Sequence, residues 1–155
     1  PACSDRFMSA SQPDSPHAVS QWVLHLLQDE FGDAIRTTGS MSFELPVGST
    51  KVIVDVRPAG NRTVINILAP LVFYATPSTE LFEHVARQTG APGLGHLRIK
   101  DSEREGLVDI LVAGQLPGDD VDRSELITTV AVIGGFADDV DDDLARRFGG
   151  EVLTS

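Results

Sequence analysis

KVIVDVRPAGNRTVINILAPLVFYA, from Lys51 to Ala75, decides the fold of this chain. In its first half Val52, Val54 and Val56 fall on one side of an extended chain, with Ile53 on the other, because side chains alternate along a strand. Gly60-Asn61 then supplies a turn. RTVINILAPLVFYA, from Arg62, returns rich in β-branched and aromatic residues. Val52 to Val72 therefore reads as an antiparallel hairpin. Pro70 has no N–H for a ladder, so it marks a bulge, bend or edge in the later strand.

Working outward, the same periodicities give an order of elements. Upstream, Val19, Trp22, Val23, Leu26, Leu27 and Phe31 recur at spacings of three and four, an amphipathic helix from His17 to Phe31 that Gly32-Asp33 ends. Ile35 to Leu45 alternates weakly through Met41, Phe43 and Leu45 and closes at Pro46-Val47-Gly48, one further strand. Downstream, Thr76-Pro77-Ser78-Thr79-Glu80 starts a helix that presents Leu81, Phe82, Val85 and Ala86 and stops at Gly90. Two strands follow, around Leu97-Arg98-Ile99 and from Leu107 to Val112, joined by the polar turn DSEREG. After Leu116-Pro117-Gly118-Asp119 turns the chain, Asp122 and Glu125 stand at capping-box spacing before a last helix with Leu126, Val130, Ile133, Ala137, Val140 and Leu144 on one face. Gly134-Gly135 within that helix reads as a kink, with a close crossing as the alternative.

The order is helix, three strands, helix, two strands, helix. It predicts an α+β fold with a five-stranded, largely antiparallel sheet and three helices. Residues 1–16, rich in Ser, Pro and Asp, read as a flexible lead, 17–150 as one domain and 151–155 as a tail.

Composition narrows the function. With 155 residues the chain can bury a real core without staples. Residues 101–155 carry 14 acidic and 4 basic side chains, against 9 and 8 in residues 1–100, so the net charge of −11 is concentrated in the last third. Such a chain repels phosphate backbones and anionic headgroups, so neither nucleic acid nor a membrane is an expected partner. No apolar run is long enough to span a bilayer. The single cysteine, Cys3, excludes an internal disulfide, and with no signal-type N-terminus in view the expected compartment is the cytoplasm.

Catalytic chemistry finds little support. The acidic run Asp138, Asp139, Asp141, Asp142 and Asp143 invites a divalent-metal reading, with Asp139, Asp141 and Asp143 at the first, third and fifth places of a calcium loop. Leu144 stands where that loop needs glycine, and Gly150 where it needs a bidentate glutamate. A helix instead puts Asp138 and Asp142 on one outward face and Asp139 and Asp143 on another. His17, His25, His84 and His96 have no metal-ligand spacing, and Gly90, Gly93 and Gly95 follow a helix where a phosphate cradle would precede one. No catalytic residue, metal or cofactor is assigned. A five-stranded sheet with helices on one side leaves a bare face, on which Leu71, Phe73 or Ile53 would make an apolar patch.

The order of elements, with APLV (Ala69 to Val72) closing the third strand, resembles the YbjN family and the related type III secretion chaperone fold. LPGDDVDRSELITTVAVI, from Leu116 to Ile133, is similar to its actinobacterial branch of peptide-binding, chaperone-like proteins, and FGG (Phe148 to Gly150) closes a likeness that runs from Val19. The resemblance implies a non-enzymatic domain that holds extended protein segments on helix and sheet surfaces, as a homodimer. The client is then a protein or peptide offering basic or apolar segments, and Trp22, Leu26, Phe73 and Tyr74 form the expected contact set. Two other functions stay open: a regulatory protein of the sensory-transduction type that binds one folded partner, and a divalent-metal enzyme built on the Asp138–Asp143 run.

Overall fold

The computed structural model describes residues 15–153. The predicted lead therefore falls almost wholly outside the described residues, as do Cys3 and the last two residues. Each helix begins on a side-chain cap, which satisfies amide groups that have no partner within the helix. Ser15 accepts from the Ala18 N–H at 3.2 Å ahead of α1 (Pro16–Phe31), and Ser78 from the Leu81 N–H at 3.1 Å ahead of α2 (Thr79–Ala86). Before α3 (Arg123–Phe148) the capping box is complete: Asp122 accepts from the Glu125 N–H at 2.9 Å, and Glu125 accepts from the Asp122 N–H at 3.2 Å.

Among the described residues the sheet has six strands, all paired antiparallel: β1 (Arg36–Gly39), β2 (Ser42–Val47), β3 (Thr50–Ala59), β4 (Arg62–Ala75), β5 (His96–Asp101) and β6 (Val108–Pro117). Their spatial order is β1-β2-β3-β4-β6-β5. The sixth strand arises because the stretch Ile35 to Leu45 is a small hairpin, where the sequence suggested one strand. The apolar alternation Met41, Phe43, Leu45 belongs almost entirely to β2, whereas β1 is the polar, fully exposed edge Arg36-Thr37-Thr38-Gly39. The hairpin of β3 and β4 forms as the alternation predicts, and the β4–β6 register slips between Pro70 and Val72, at the predicted proline.

One face of the sheet is the core. Phe43, Leu45, Val52, Val54, Val56, Ile65, Ile67, Ala69 and Val112 are at most 1% exposed and lie under α1 and α3, with Val19, Val23, Leu27, Leu126, Val130 and Ile133 facing them. α3 remains helical through Gly134-Gly135, and Gly134 is there for contact: a Cβ on it would come within 2.8 Å of Val47 and 2.9 Å of Val52. The close approach is thus made to the sheet. Helix and sheet are held together at their ends as well, since Gly118 donates to the Thr63 carbonyl at 2.8 Å and so ties the LPGD turn to the start of β4.

Candidate functional site

Among the described residues, no helix lies over the other face of the sheet. Strand alternation puts Lys51, Ile53, Asp55 and Arg57 of β3 there, with Val64, Asn66, Leu68 and Pro70 of β4, Asp109, Leu111, Ala113 and Gln115 of β6, and His96, Arg98 and Lys100 of β5. Two contiguous hollows mark it. One, of about 210 Å³, is floored by Ile53, Leu68, Pro70, Phe73 and Leu111 and flanked by Lys51, Lys100 and Asp109. The other, of about 290 Å³, meets it at Leu68 and is polar, with Asp55, Arg57, Asn66, His96, Arg98 and Gln115 around it.

The charges on this face are not those of the rest of the chain. Lys51 pairs with Glu44 at 2.9 Å, Arg57 with Asp55 at 2.9 Å and Lys100 with Asp109 at 3.4 Å. Arg98 and His96 make no ion pair among the described residues. Arg98 is thus a formal positive charge of this face left without an acidic partner among the described residues, on a protein of net charge −11.

The four residues expected to make contact do not come together. Phe73 floors the apolar hollow. Tyr74, next to it, holds a left-handed backbone (φ 61°), donates its N–H to Asp109 at 3.1 Å and carries the Arg104 guanidinium 3.6 Å above its ring. Trp22 and Leu26 lie on α1, on the helical side; Trp22 packs half-buried against the core and Leu26 is buried within it. Leu26 is 8% exposed. Of the three apolar residues suggested for the bare face, Ile53 and Phe73 line it, while Leu71 is 1% exposed because the Pro70–Val72 bulge turns it inward.

The acidic run is helical, and its members do different work. Asp138 reaches from α3 to the β2–β3 turn, where one carboxylate oxygen accepts the Ser49 N–H at 2.6 Å and the Ser49 hydroxyl at 2.8 Å. Gly48 takes a left-handed conformation (φ 57°) beside it, and a Cβ at that position would run into the same carboxylate. These Ser49 bonds hold the Asp138 carboxyl below its ordinary range. Asp141 is buried, and loss of solvation pushes its carboxyl up, with the charges of Asp142 and Asp138 adding to the effect. Asp143 pairs with Arg146. Among the described residues no three His, Cys, Asp or Glu groups converge where they could hold a metal ion.

These two carboxylates have opposite linkage to pH. Asp138, lowered in the fold, stabilises above the unfolded carboxylate pKa of about 3.9 and loses that contribution as pH falls through its folded value. Asp141, raised in the fold, contributes most below about 3.9 and loses it as pH rises through its folded value. Asp141→Asn is therefore expected to raise the melting temperature at neutral pH, with the advantage shrinking on acidification. A lower melting temperature for Asp141→Asn at neutral pH would contradict this account.

A further concavity, of about 400 Å³, lies on the helical side between α2 and α3, lined by His84, Thr89, Phe136, Val140, Leu144 and Arg147 among others. Partial burial, then the neighbouring Arg147 charge, holds His84 below its ordinary pKa, and its ring meets Phe148 edge-on. No helix is long and apolar enough to cross a membrane among the described residues.

The fold is shared with a known structure. The crystal structure of YbjN from E. coli, titled a putative transcription regulator, matches 79% of this chain and 92% of its own length, at a TM-score of 0.51 and 12% sequence identity. An uncharacterized protein from Methanothermobacter thermautotrophicus covers 84% of this chain and 99% of its own, at a TM-score of 0.45 and 16% identity. No curated protein matches at a significant level. The family model described as T3SS (YopN, CesT) and YbjN peptide-binding chaperone 1 matches residues 17–155, the whole α+β unit from α1 onward. This chain therefore belongs to that family, TY-Chap1.

Proposed function

We propose that this protein is a non-enzymatic module that holds an extended segment of another protein on the open face of its sheet. The observation that carries the reading is the placement of α1 and α3 on one side only, which leaves Ile53, Leu68, Pro70, Phe73 and Leu111 as an uncovered apolar floor. Membership of a family described as peptide-binding chaperones supports it. Of the contact residues expected from sequence, Phe73 and its neighbour Tyr74 stay in the proposal.

The test is binding of fluorescent peptides from an unfolded-peptide library to the intact chain and to Ile53→Asp/Leu68→Asp. Burying each of these side chains is worth about 1.5–3 kcal/mol, so the double variant is expected to bind at least roughly tenfold more weakly with an unchanged circular dichroism spectrum. A wild-type protein that binds no peptide, yet retains one folded partner from its own cells, would favour the regulatory reading and remove this one. The same proposal takes the module to be a cytoplasmic homodimer. A solution mass of 16.6 kDa would remove the dimer and leave the binding untouched.

A further inference from the structure

We infer that the exposed edge of β5 receives an extended acidic segment as a seventh strand, its carboxylates at alternate positions facing His96, Arg98 and Lys100. The inference rests on the binding role proposed above and names the chemistry of the client.

It begins with Gln88. This residue follows α2 and holds a left-handed backbone (φ 53°), a conformation that costs a non-glycine residue energy unless something holds it. Its carboxamide is what is held. The amide oxygen accepts the Leu97 N–H at 2.6 Å and the amide nitrogen donates to the Leu97 carbonyl at 3.0 Å, and also to the Val85 carbonyl at 2.8 Å. The two bonds to Leu97 are those a residue of a neighbouring strand would make. The side chain thus imitates one peptide unit of a strand beyond β5.

Because Leu97 spends its N–H and C=O outward, antiparallel alternation sends those of Ile99 and Asp101 outward too, while His96, Arg98 and Lys100 bond to β6. Among the described residues the outward groups of Ile99 and Asp101 have no partner. They offer a template for strand addition, which Gln88 closes at one end and so keeps in register. The opposite edge is a poorer template: β1 is only four residues long and its register slips between Thr37 and Gly39.

The side chains along β5 select the occupant. His96, Arg98 and Lys100 stand in a row on the open face; Lys100 pairs with Asp109 at 3.4 Å, whereas Arg98 and His96 have no ion pair among the described residues. A second copy of β5 added antiparallel about Ile99 would set Arg98 against Lys100 twice, and like charges directly opposite destabilise a sheet. A strand with Glu or Asp at alternate positions meets the row with opposite charge. Its other side chains continue the row of Leu97 and Ile99. The added strand would also widen the open face, which runs on from β5 through Ala113 and Leu111 of β6.

The test uses three capped peptides on the full chain, read by fluorescence anisotropy: alternating Glu and Val, alternating Lys and Val, and the Glu peptide N-methylated at alternate backbone nitrogens. The Glu peptide should bind roughly tenfold more tightly than the Lys peptide, the combined effect of several cross-strand charge pairs. Arg98→Glu/Lys100→Glu, at exposed positions, should invert that preference, and N-methylation should abolish binding. If Glu and Lys peptides bind alike and methylation changes nothing, while Ile53→Asp/Leu68→Asp still releases library peptides, the edge proposal fails and the open-face role stands. If no extended peptide binds at all, the binding role itself fails. A dimer that Arg98→Glu/Lys100→Glu dissociates would assign the edge to a second copy and overturn the inference.

Discussion

Phe43→Ala is expected to lower the stability of this protein by about 3–5 kcal/mol, the cost of removing a large aromatic side chain from a core that cannot close over the void. Phe43 is 1% exposed and heads the fully buried side chains by volume. It is the second residue of β2, opposite Val54 of β3, and both α1 and α3 reach that strand. A change of this size is a large fraction of the 5–15 kcal/mol typical of a domain. Urea unfolding followed by circular dichroism measures it. A loss below about 1 kcal/mol would mean that the helices do not cover β2 as described.

Gly134 and Gly135 are expected to respond to substitution with opposite signs. Any side chain at Gly134 meets Val47 and Val52 below 3 Å, and both are β-branched side chains with little freedom to move aside. Gly134→Val should therefore cost about 1–3 kcal/mol through overpacking. Gly135 has nothing within 4 Å of where its Cβ would be. Gly135→Ala should gain about 0.8–1 kcal/mol, because alanine is the better helix former and nothing obstructs it. Thermal unfolding of the two variants side by side decides the matter. Equal losses at both positions would show that α3 needs flexibility there, in keeping with the kink suggested by the sequence.

The contrast between the two glycines shows where sequence reading reaches its limit. The β3–β4 hairpin was legible because Val52, Val54 and Val56 alternate strictly, and the bulge was legible because proline cannot serve a ladder. β1 was not, since Arg36-Thr37-Thr38-Gly39 is an edge with no apolar side chain to set a period. Leu26 and Trp22 share an apolar helical stripe, and a stripe does not say which member ends fully buried. The helical state of the acidic run followed from Val140 and Leu144. The duty of Asp138 did not, because its partner Ser49 lies 89 residues away in the chain. For the site, the client's charge stayed open: the average of −11 suggested basic segments, while the edge inferred above turns His96, Arg98 and Lys100 toward an acidic one. That row was visible at every second residue, but nothing in the sequence told which face of the sheet the helices leave bare.

The strand order has a consequence for how the open face is put together. β1 to β4 form a meander in which each strand pairs with its sequence neighbour, so these contacts close over short loops, which carry the smaller closure cost. β6 must then join β4 across a long excursion through α2 and β5; Asn66 and Gln115, bonded side by side at 2.8 Å, are 49 residues apart in the chain. The open face is assembled across that junction, with Leu68 on one side of it and Leu111 on the other. A chain that stopped at β4 would carry only one side of this hollow, and its floor is complete only with β6 in place.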